Sequence, residues 1–365
     1  MSDNRKEAEE KMAKAIFISG DCWLSVFDLL APSQLGLGIA LISHQFDFYV
    51  DEHFKTRKWP LKHIRIRSKI RENGTKEMEI GNFLGKPLPI PKMQLPRKVT
   101  GFEQIIIFYI DQNAIVFLRR FCQLFAACPI NLFIHTNNDR ILGFILRNIC
   151  PIIGKNICAM QLSANLFHRL RHFVPSFLDD FPSLRVVSLC FDSLITQFLC
   201  DESADGQAVA KWLFTPRPDK VPKVLKCWLN NYDDNDDGDW NLATKIEAFK
   251  AAFASASSPV NFIVVIWVWP FNDSVGPFNL TNELTREQLA LKKTNKYYDF
   301  LLLIRCPIAR EADKWAKWEE EAIDWRIYYQ WNRINIEINE EHKIGDGLLD
   351  ATPGPSDQSA AEVNE

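Results

Sequence analysis

The first informative pattern lies between Ile18 and Phe54. Apolar residues fall at Ile18, Cys22, Trp23, Val26, Phe27, Leu29 and Leu30, the spacing of one face of an amphipathic helix. Gly20 and Asp21 open this segment, and by residue type Asp21 is the better N-cap. Ala31-Pro32 then breaks it, since proline is tolerated only as the first residue of a new helix. Leu35, Leu37, Ile39, Ala40, Leu41 and Ile42 predict a second short helix, which Gly36 and Gly38 each weaken by roughly 1 kcal/mol relative to Ala. Ser43 is placed to cap a third helix, carrying Phe46, Phe48, Tyr49, Val50 and Phe54. Three helices in about forty residues enclose too little core to stand alone. One apolar side is therefore expected to be covered by something else.

Beyond this trio the period shortens. Residues 64–72 and 75–80 predict a β-hairpin around Asn73-Gly74, the strongest two-residue turn signal. Pro87, Pro89, Pro91 and Pro96 predict a stiff, extended linker. Apolar strands at 105–110, 130–135, 157–162 and 184–190 then alternate with helical patterns at 113–125, 139–153 and 165–178. The step between strands is roughly 25 to 27 residues, within the range of leucine-rich repeats. Strands at 224–229 and 261–267 follow longer steps, so the repeat becomes irregular. Strands that are apolar throughout and followed by helices predict parallel pairing, and units that cannot hide their own apolar face must stack. In the last third, 278–281, 288–293 and 300–305 read as short antiparallel strands. Trp315, Trp318, Ala322 and Trp325 lie on one side of a helix, and Ile334, Ile336 and Ile338 alternate as a closing strand. From about Ile344 the chain turns rich in Gly, Pro, Ser and acid, as disordered tails are.

The predicted fold is thus α+β overall. A flexible N-terminus (1–14) precedes a three-helix module (15–58) and a hairpin with its Pro-rich linker (59–100). An irregular leucine-rich-repeat-like α/β domain with mostly parallel strands (101–270) follows. A C-terminal antiparallel strand/helix cap (271–342) and a disordered tail (343–365) complete the chain.

The opening trio resembles the F-box, the short module that docks onto the Skp-type adaptor of cullin–RING ubiquitin ligases. The family's Leu-Pro opening corresponds to Ile18-Ser19, followed by Gly20-Asp21. Its Ile-Phe-x-x-Leu corresponds to Val26-Phe27-Asp28-Leu29-Leu30, its loop proline to Pro32, and its Leu-bearing helix to Leu35. Its Val-Ser-x-x-Trp element corresponds to Ile42-Ser43-His44-Gln45-Phe46, with Phe46 in place of Trp as Ser19 is in place of Pro. Three later segments, SADGQAVAKWLFTP (203–216), LLLIRCPIAREADKWAKW (301–318) and QWNRINIEINEEHKIGDG (330–347), are similar to a family of F-box-domain proteins greatly expanded in nematodes. The resemblance implies a non-enzymatic substrate receptor of an SCF-type ubiquitin ligase, cytoplasmic or nuclear. Its partners are a Skp-type adaptor, through it a cullin, and an unknown protein substrate. The implied adaptor contacts are Ile18, Trp23, Val26, Phe27, Leu30, Pro32, Leu35 and Ile42. Spacing alone does not separate those facing an adaptor from those closing the module's own core. The rival reading is an interaction scaffold unconnected with ubiquitin, its first helices a structural cap on the α/β core.

Composition narrows the classes. With 47% hydrophobic and 24% charged residues and a net charge of −3 over 365 residues, the chain fits a globular protein and not a general nucleic-acid binder. Residues 1–14 carry mixed charge and lack the plan of a signal peptide. The longest apolar run, 262–271, falls short of the roughly 20 residues a membrane helix needs. Nine cysteines without a CxxC pair read as buried free thiols of a reducing compartment.

Candidate chemistry is sparse. Asp233, Asn235, Asp237 and Gly238 match positions 1, 3, 5 and 6 of a calcium loop, but the position needing a bidentate Glu is Thr244. His168 and His172 share metal-ligand spacing on a helix, yet the sequence between them is Arg-Leu-Arg. Eight Lys/Arg occur from Lys55 to Arg71, read as the solvent face of a hairpin, where basic edge strands resist aggregation. The stripe Trp315, Trp318 and Trp325 fits either core packing or an exposed peptide-binding surface. No nucleophile elbow, Walker loop or GxGxxG after a strand occurs. Neither cofactor nor metal is expected, and nor is catalysis.

Overall fold

In the computed structural model of this chain the described residues run from 18 to 349, except 31, 55–58, 73, 83, 89–98, 164–165, 167–168, 171–176, 191–203, 231–241, 270–274, 295–299 and 346. Helix α1 (Gly20–Phe27) is capped by Ser19, not Asp21: the Ser19 hydroxyl accepts from the Cys22 N–H at 3.4 Å. Asp21 instead occupies the first turn, where the positive end of the helix favours a carboxylate. Pro32 opens α2 (Pro32–Leu37), and a separate 3₁₀ turn, Ile39–Leu41, follows Gly38, so the single predicted helix is divided. Ser43 caps α3 (His44–Phe54), accepting from the Phe46 N–H at 3.3 Å. At Gly20 α1 comes close to α3, since a Cβ there would sit 3.0 Å from Tyr49 Cε1.

Strands β1 (Trp59–Ile70) and β2 (Lys76–Gly81) form the expected antiparallel hairpin. Its loop holds three residues, not two. Arg71 donates to Thr75 O, Gly74 donates back to Arg71 O, and Gly74 takes φ +81°, the left-handed position of a three-residue hairpin turn. Pro87 begins β3 (Pro87–Leu88), which pairs with β2; a proline is admitted on an edge strand because its missing N–H is not needed there. The predicted linker thus starts inside the sheet, and its remaining prolines lie outside the described residues.

Strand β4 (Val99–Ile107) leads into α4 (Gln112–Arg120), α5 (Cys122–Ala127) and β5 (Ile130–His135). Helix α6 (Asp139–Phe144), capped by Asn138, runs through a π turn at Ile145–Ile149 into α7 (Cys150–Ile153). Pro151 cannot donate to the carbonyl four residues back, so the turn before it widens. Then come β6 (Ile157–Ser163), β7 (Val186–Cys190), α8 (Ala204–Phe214), β8 (Lys223–Asn230), α9 (Leu242–Ala254) and β9 (Phe262–Trp269). The helix predicted at 165–178 falls mostly outside the described residues. Strands β10 (Phe278–Asn282), β11 (Glu287–Thr294) and β12 (Phe300–Pro307), helix α10 (Ala312–Asp324) and β13 (Arg333–Glu337) complete the fold.

Among the described residues thirteen strands join one sheet, in the order β10-β11-β12-β9-β8-β7-β6-β5-β13-β4-β1-β2-β3. Strands β5 to β9 are neighbours in chain order and parallel, whereas β10 to β12 add antiparallel to β9. The chain is a mixed α/β protein with a large, mostly parallel sheet. Strand β13, predicted to close the C-terminal segment, instead inserts between β4 and β5, parallel to both. Ile334 and Ile336 are fully buried there, and a slot with two neighbours satisfies both backbone edges of the strand. Because β1 pairs in parallel with β4, the hairpin extends the sheet and is not a separate joint. The boundaries expected at 100 and 270 divide no layer.

One face of the sheet, including Ile105, Ile107, Leu132, Ile134, Val187, Leu225 and Val264, is buried in the main core with α4 to α9. The other carries Ala159, Val186, Val224, Ile263, Val265 and Leu302 beneath α10. The tail is not disordered from 343: Ile344 is buried and bridges Ile110, and Leu348 and Leu349 pack on the main core. A buried ion pair ties the far strands together. Arg305 Nη2 lies 2.7 Å from Glu287 Oε2 and donates to Ser258 O, while Glu287 Oε1 accepts from the Val260 N–H.

Candidate docking surfaces

The N-terminal module closes a core of its own from Phe27, Leu35, Ala40, Val50 and Phe54, ringed by Trp23, Leu24, Leu30, Ile39, Phe46 and Tyr49. This separates the eight residues that spacing could not. Phe27 and Leu35 are buried within that core, and Trp23 and Leu30 are half-buried against it, Trp23 standing edge-on to Phe46 at 4.9 Å. Ile18, Val26 and Ile42 face outward, Ile42 with 63% of its surface exposed. Pro32 serves as the first residue of α2. Two residues not singled out beforehand share the outside: Leu29, 85% exposed, and Phe48, 58% exposed. Leu29 belonged to the apolar run read from spacing, but it lies in the turn just past α1, where its N–H donates to Val26 O. The exposure of Phe48 was not legible, since nothing in the spacing says which side of α3 the module's core occupies. The module rests on the sheet through α2, where the Gly36 Cα side approaches Val99.

The remaining candidates carry structure more than chemistry. On the hairpin, Arg67 and Lys69 pair with Glu79, and Arg71 with Glu77, across the strands. Strand β1 lies between β2 and β4, so the basic residues it carries, from Lys62 to Lys69, are not an edge guard. Trp315 is buried, and Trp318 and Trp325 are half-buried against the second sheet face. The acidic loop 233–239 and both His168 and His172 lie outside the described residues. Among the described residues no group of His, Cys, Asp and Glu is set to hold a metal, and no helix is long and apolar enough to cross a membrane.

The cysteines are not uniformly buried, for Cys22 and Cys122 are exposed. Burial pushes the Cys128 and Cys158 thiols up to about 11, and those of Cys150 and Cys227 to about 12. Thiols so protonated are poor nucleophiles. At the carboxyl end of β4, where open α/β sheets usually bind ligands, a cavity of about 620 Å³ is lined by Lys76, Tyr109, Asp111, Asn113 and His342. Its carboxylate is committed to the backbone: Asp111 accepts from the Ala114 N–H at 2.8 Å and the Met78 N–H at 3.1 Å.

The face beneath α10 differs. Lys226, buried, donates to the carbonyls of Ala322, Ile323 and Trp325 at 2.8, 3.1 and 2.6 Å. It satisfies the carbonyl end of α10, whose own last turn has no basic residue. Beside that clamp, a cavity of about 500 Å³ opens between α10 and the strands.

Comparison of the chain with protein-family models, with curated proteins and with solved structures finds no match.

Proposed function

We propose that this chain is a non-enzymatic adaptor. Its N-terminal F-box-like module docks a Skp-type subunit and, through it, a cullin, and its irregular leucine-rich-repeat-like α/β domain presents a protein substrate to an SCF-type ubiquitin ligase. One observation carries the reading. The module fills a small core of its own and still leaves Ile18, Val26, Leu29, Ile42 and Phe48 in contact with water. Covering a large apolar side chain contributes roughly 1.5–3 kcal/mol, so a few such anchors offset the several kcal/mol that association costs. The chain-order succession β5 to β9 supports the repeat-like reading of the larger domain. A cytoplasmic or nuclear location belongs to the same proposal.

Co-purification of the full chain with a Skp-type adaptor tests it. The wild type is retained, while Val26→Asp on the outer face of α1 and Leu29→Asp in the turn that follows it abolish retention without altering the far-UV circular dichroism. Retention that survives both substitutions moves the contact elsewhere and leaves the helices as a cap resting on β1.

A further inference from the structure

Helix α10 fills the space above the second sheet face at one end and leaves it open at the other. Asn131, Ala159, Val186, Val224, Ile263 and Ile304 stand side by side across β5, β6, β7, β8, β9 and β12. Ile263 and Ile304 are fully buried and pack in one cluster with Trp315 of α10. Ala159, Val186 and Val224 are smaller, and so is Ala322 above them. Together with Trp325 they border the cavity of about 500 Å³. That volume falls within the roughly 300–1,000 Å³ of small-molecule sites, whose walls are mainly apolar with a few placed polar groups.

The walls are held firmly. Lys226 fixes the carbonyls of Ala322, Ile323 and Trp325 on one side. On the other, Asn131 donates from Nδ2 to Trp331 O at 2.7 Å. That bond settles the orientation of the Asn131 amide and turns its Oδ1 toward the Cys158 thiol, although the side chain is only 6% exposed. The thiol has one hydrogen to give and two acceptors in reach, Ile130 O at 3.4 Å and Asn131 Oδ1 at 3.8 Å. The nearer carbonyl takes it. Asn131 and Cys158 both line the cavity. A buried amide oxygen without a strong donor among the described residues therefore stands at its wall, and leaving such an oxygen unmatched is costly.

We propose that this cavity binds a small, uncharged, mainly apolar molecule that donates one O–H or N–H to Asn131 Oδ1. The apolar character follows from the floor of Ala159, Val186 and Val224 and from Trp325, whose burial against a ligand supplies the attraction. The absence of net charge follows from the wall. Arg185 lies 3.4 Å from Glu321 and donates to Pro222 O, Asp324 is engaged in a contact of its own, and Lys226 is spent on the end of α10. A charged ligand would lose its hydration without gaining a free counter-charge there. The choice of a donor follows from Asn131, whose amide nitrogen is used and whose oxygen is not. The site shares no residue with the N-terminal module, so the proposal goes beyond the adaptor reading and does not rest on it.

The probes are 2-naphthol, 2-methoxynaphthalene, which has no hydrogen to donate, and 2-naphthoate, which carries a charge. Each is titrated into the full chain while the Trp325 indole N–H signal is followed by NMR. The naphthol is expected to shift that signal and to bind at least fivefold more tightly than either of the others. Asn131→Leu brings the ratio of naphthol to methoxynaphthalene to about one, and Val186→Phe, which fills the floor, removes naphthol binding. If Val186→Phe lowers Tm, Ala159→Leu takes its place; if Asn131→Leu does not fold, the wild-type ratios and the filled-floor variant decide. No shift with the naphthol, equal binding of either analogue, or binding that persists in the filled-floor variant overturns the proposal. Val26→Asp leaves these titrations unchanged, so failure here and failure of adaptor docking are read separately.

Discussion

The N-terminal module and the thirteen-stranded sheet treat their apolar residues in opposite ways. The sheet hides Ile, Val, Leu and Phe on both faces, beneath α4 to α9 on one side and α10 on the other. Among its described residues the module buries Phe27, Leu35, Ala40, Val50 and Phe54 and sets Ile18, Val26, Leu29, Ile42 and Phe48 outside. Surface-to-volume scaling explains the contrast: a unit of about forty residues lacks the interior to hold every large side chain its helices carry. What remains outside is a surface suited to a second polypeptide. The sheet, by contrast, leaves a recess beneath α10 lined by Ala159, Val186, Val224 and Trp325.

The largest effect that sharpens this contrast comes from the sheet. Glu287→Ala leaves Arg305 buried without its carboxylate and is expected to cost about 3–5 kcal/mol in urea unfolding followed by circular dichroism. Phe27→Ala removes a core ring of the module and costs about as much, but locally. Hydrogen exchange is expected to strip protection from α1 to α3 while β4 to β9 keep theirs. Equal loss in both regions means that the two cores act as one, and the contrast fails.

Alkaline titration reaches the sheet domain through buried groups of opposite sign. Cys150 and Cys227, with thiols pushed up to about 12 by burial from an ordinary 9.0, stay protonated in the fold after they ionise in the unfolded chain. Each therefore removes about 1.4 kcal/mol of stability per pH unit above 9; Cys227 lies in β8 and Cys150 in α7, both in the main core. Lys223 works in the opposite sense. Burial lowers it from 10.5 to about 8, so the unfolded chain binds the extra proton between those values and the penalty, complete below pH 8, is relieved as pH rises. Lys223→Met is expected to be more stable relative to wild type at pH 7 than at pH 10, as thermal melts at the two pH values will read. A difference that does not shrink with pH removes Lys223 from the account.

The smallest stability effects fall on the module surface. Gly20→Ala trades roughly 1 kcal/mol of helix propensity against a contact at 3.0 Å with the Tyr49 ring, and a net change in Tm near zero is expected. Val26→Asp and Leu29→Asp should change stability by less than about 0.5 kcal/mol yet lose the adaptor. A large drop in Tm from either places that side chain inside the fold.

Much of this arrangement was legible from residue order. Pro32 and Ser43 start their helices as local chemistry predicts, and the strand at 130–135 was placed to the residue. These are short-range decisions, settled by capping groups and by runs of branched side chains. The hairpin lost its two-residue turn because Arg71 and Thr75 pair across Gly74, a choice made by register along the whole of β1 and β2. Ile344, Leu348 and Leu349 looked like the start of a polar tail, yet they reach apolar surface beside Ile110 that no local window contains. The cavity beneath α10 was invisible, because it assembles Asn131, Val186, Val224 and Glu321 from four separate elements.

Residue order by itself determined where most of the strands lie, that they are mainly parallel, and that the first three helices carry more apolar surface than they can enclose. Only the tertiary structure decided that β13 enters between β4 and β5, that Phe27 turns inward while Val26 and Leu29 turn out, and that α10 leaves a recess above Ala159 and Val186. Periodicity says how side chains alternate along one element. Which neighbour each face meets depends on contacts between residues far apart in the chain, and those are chosen by the burial and hydrogen bonding of the whole sheet at once.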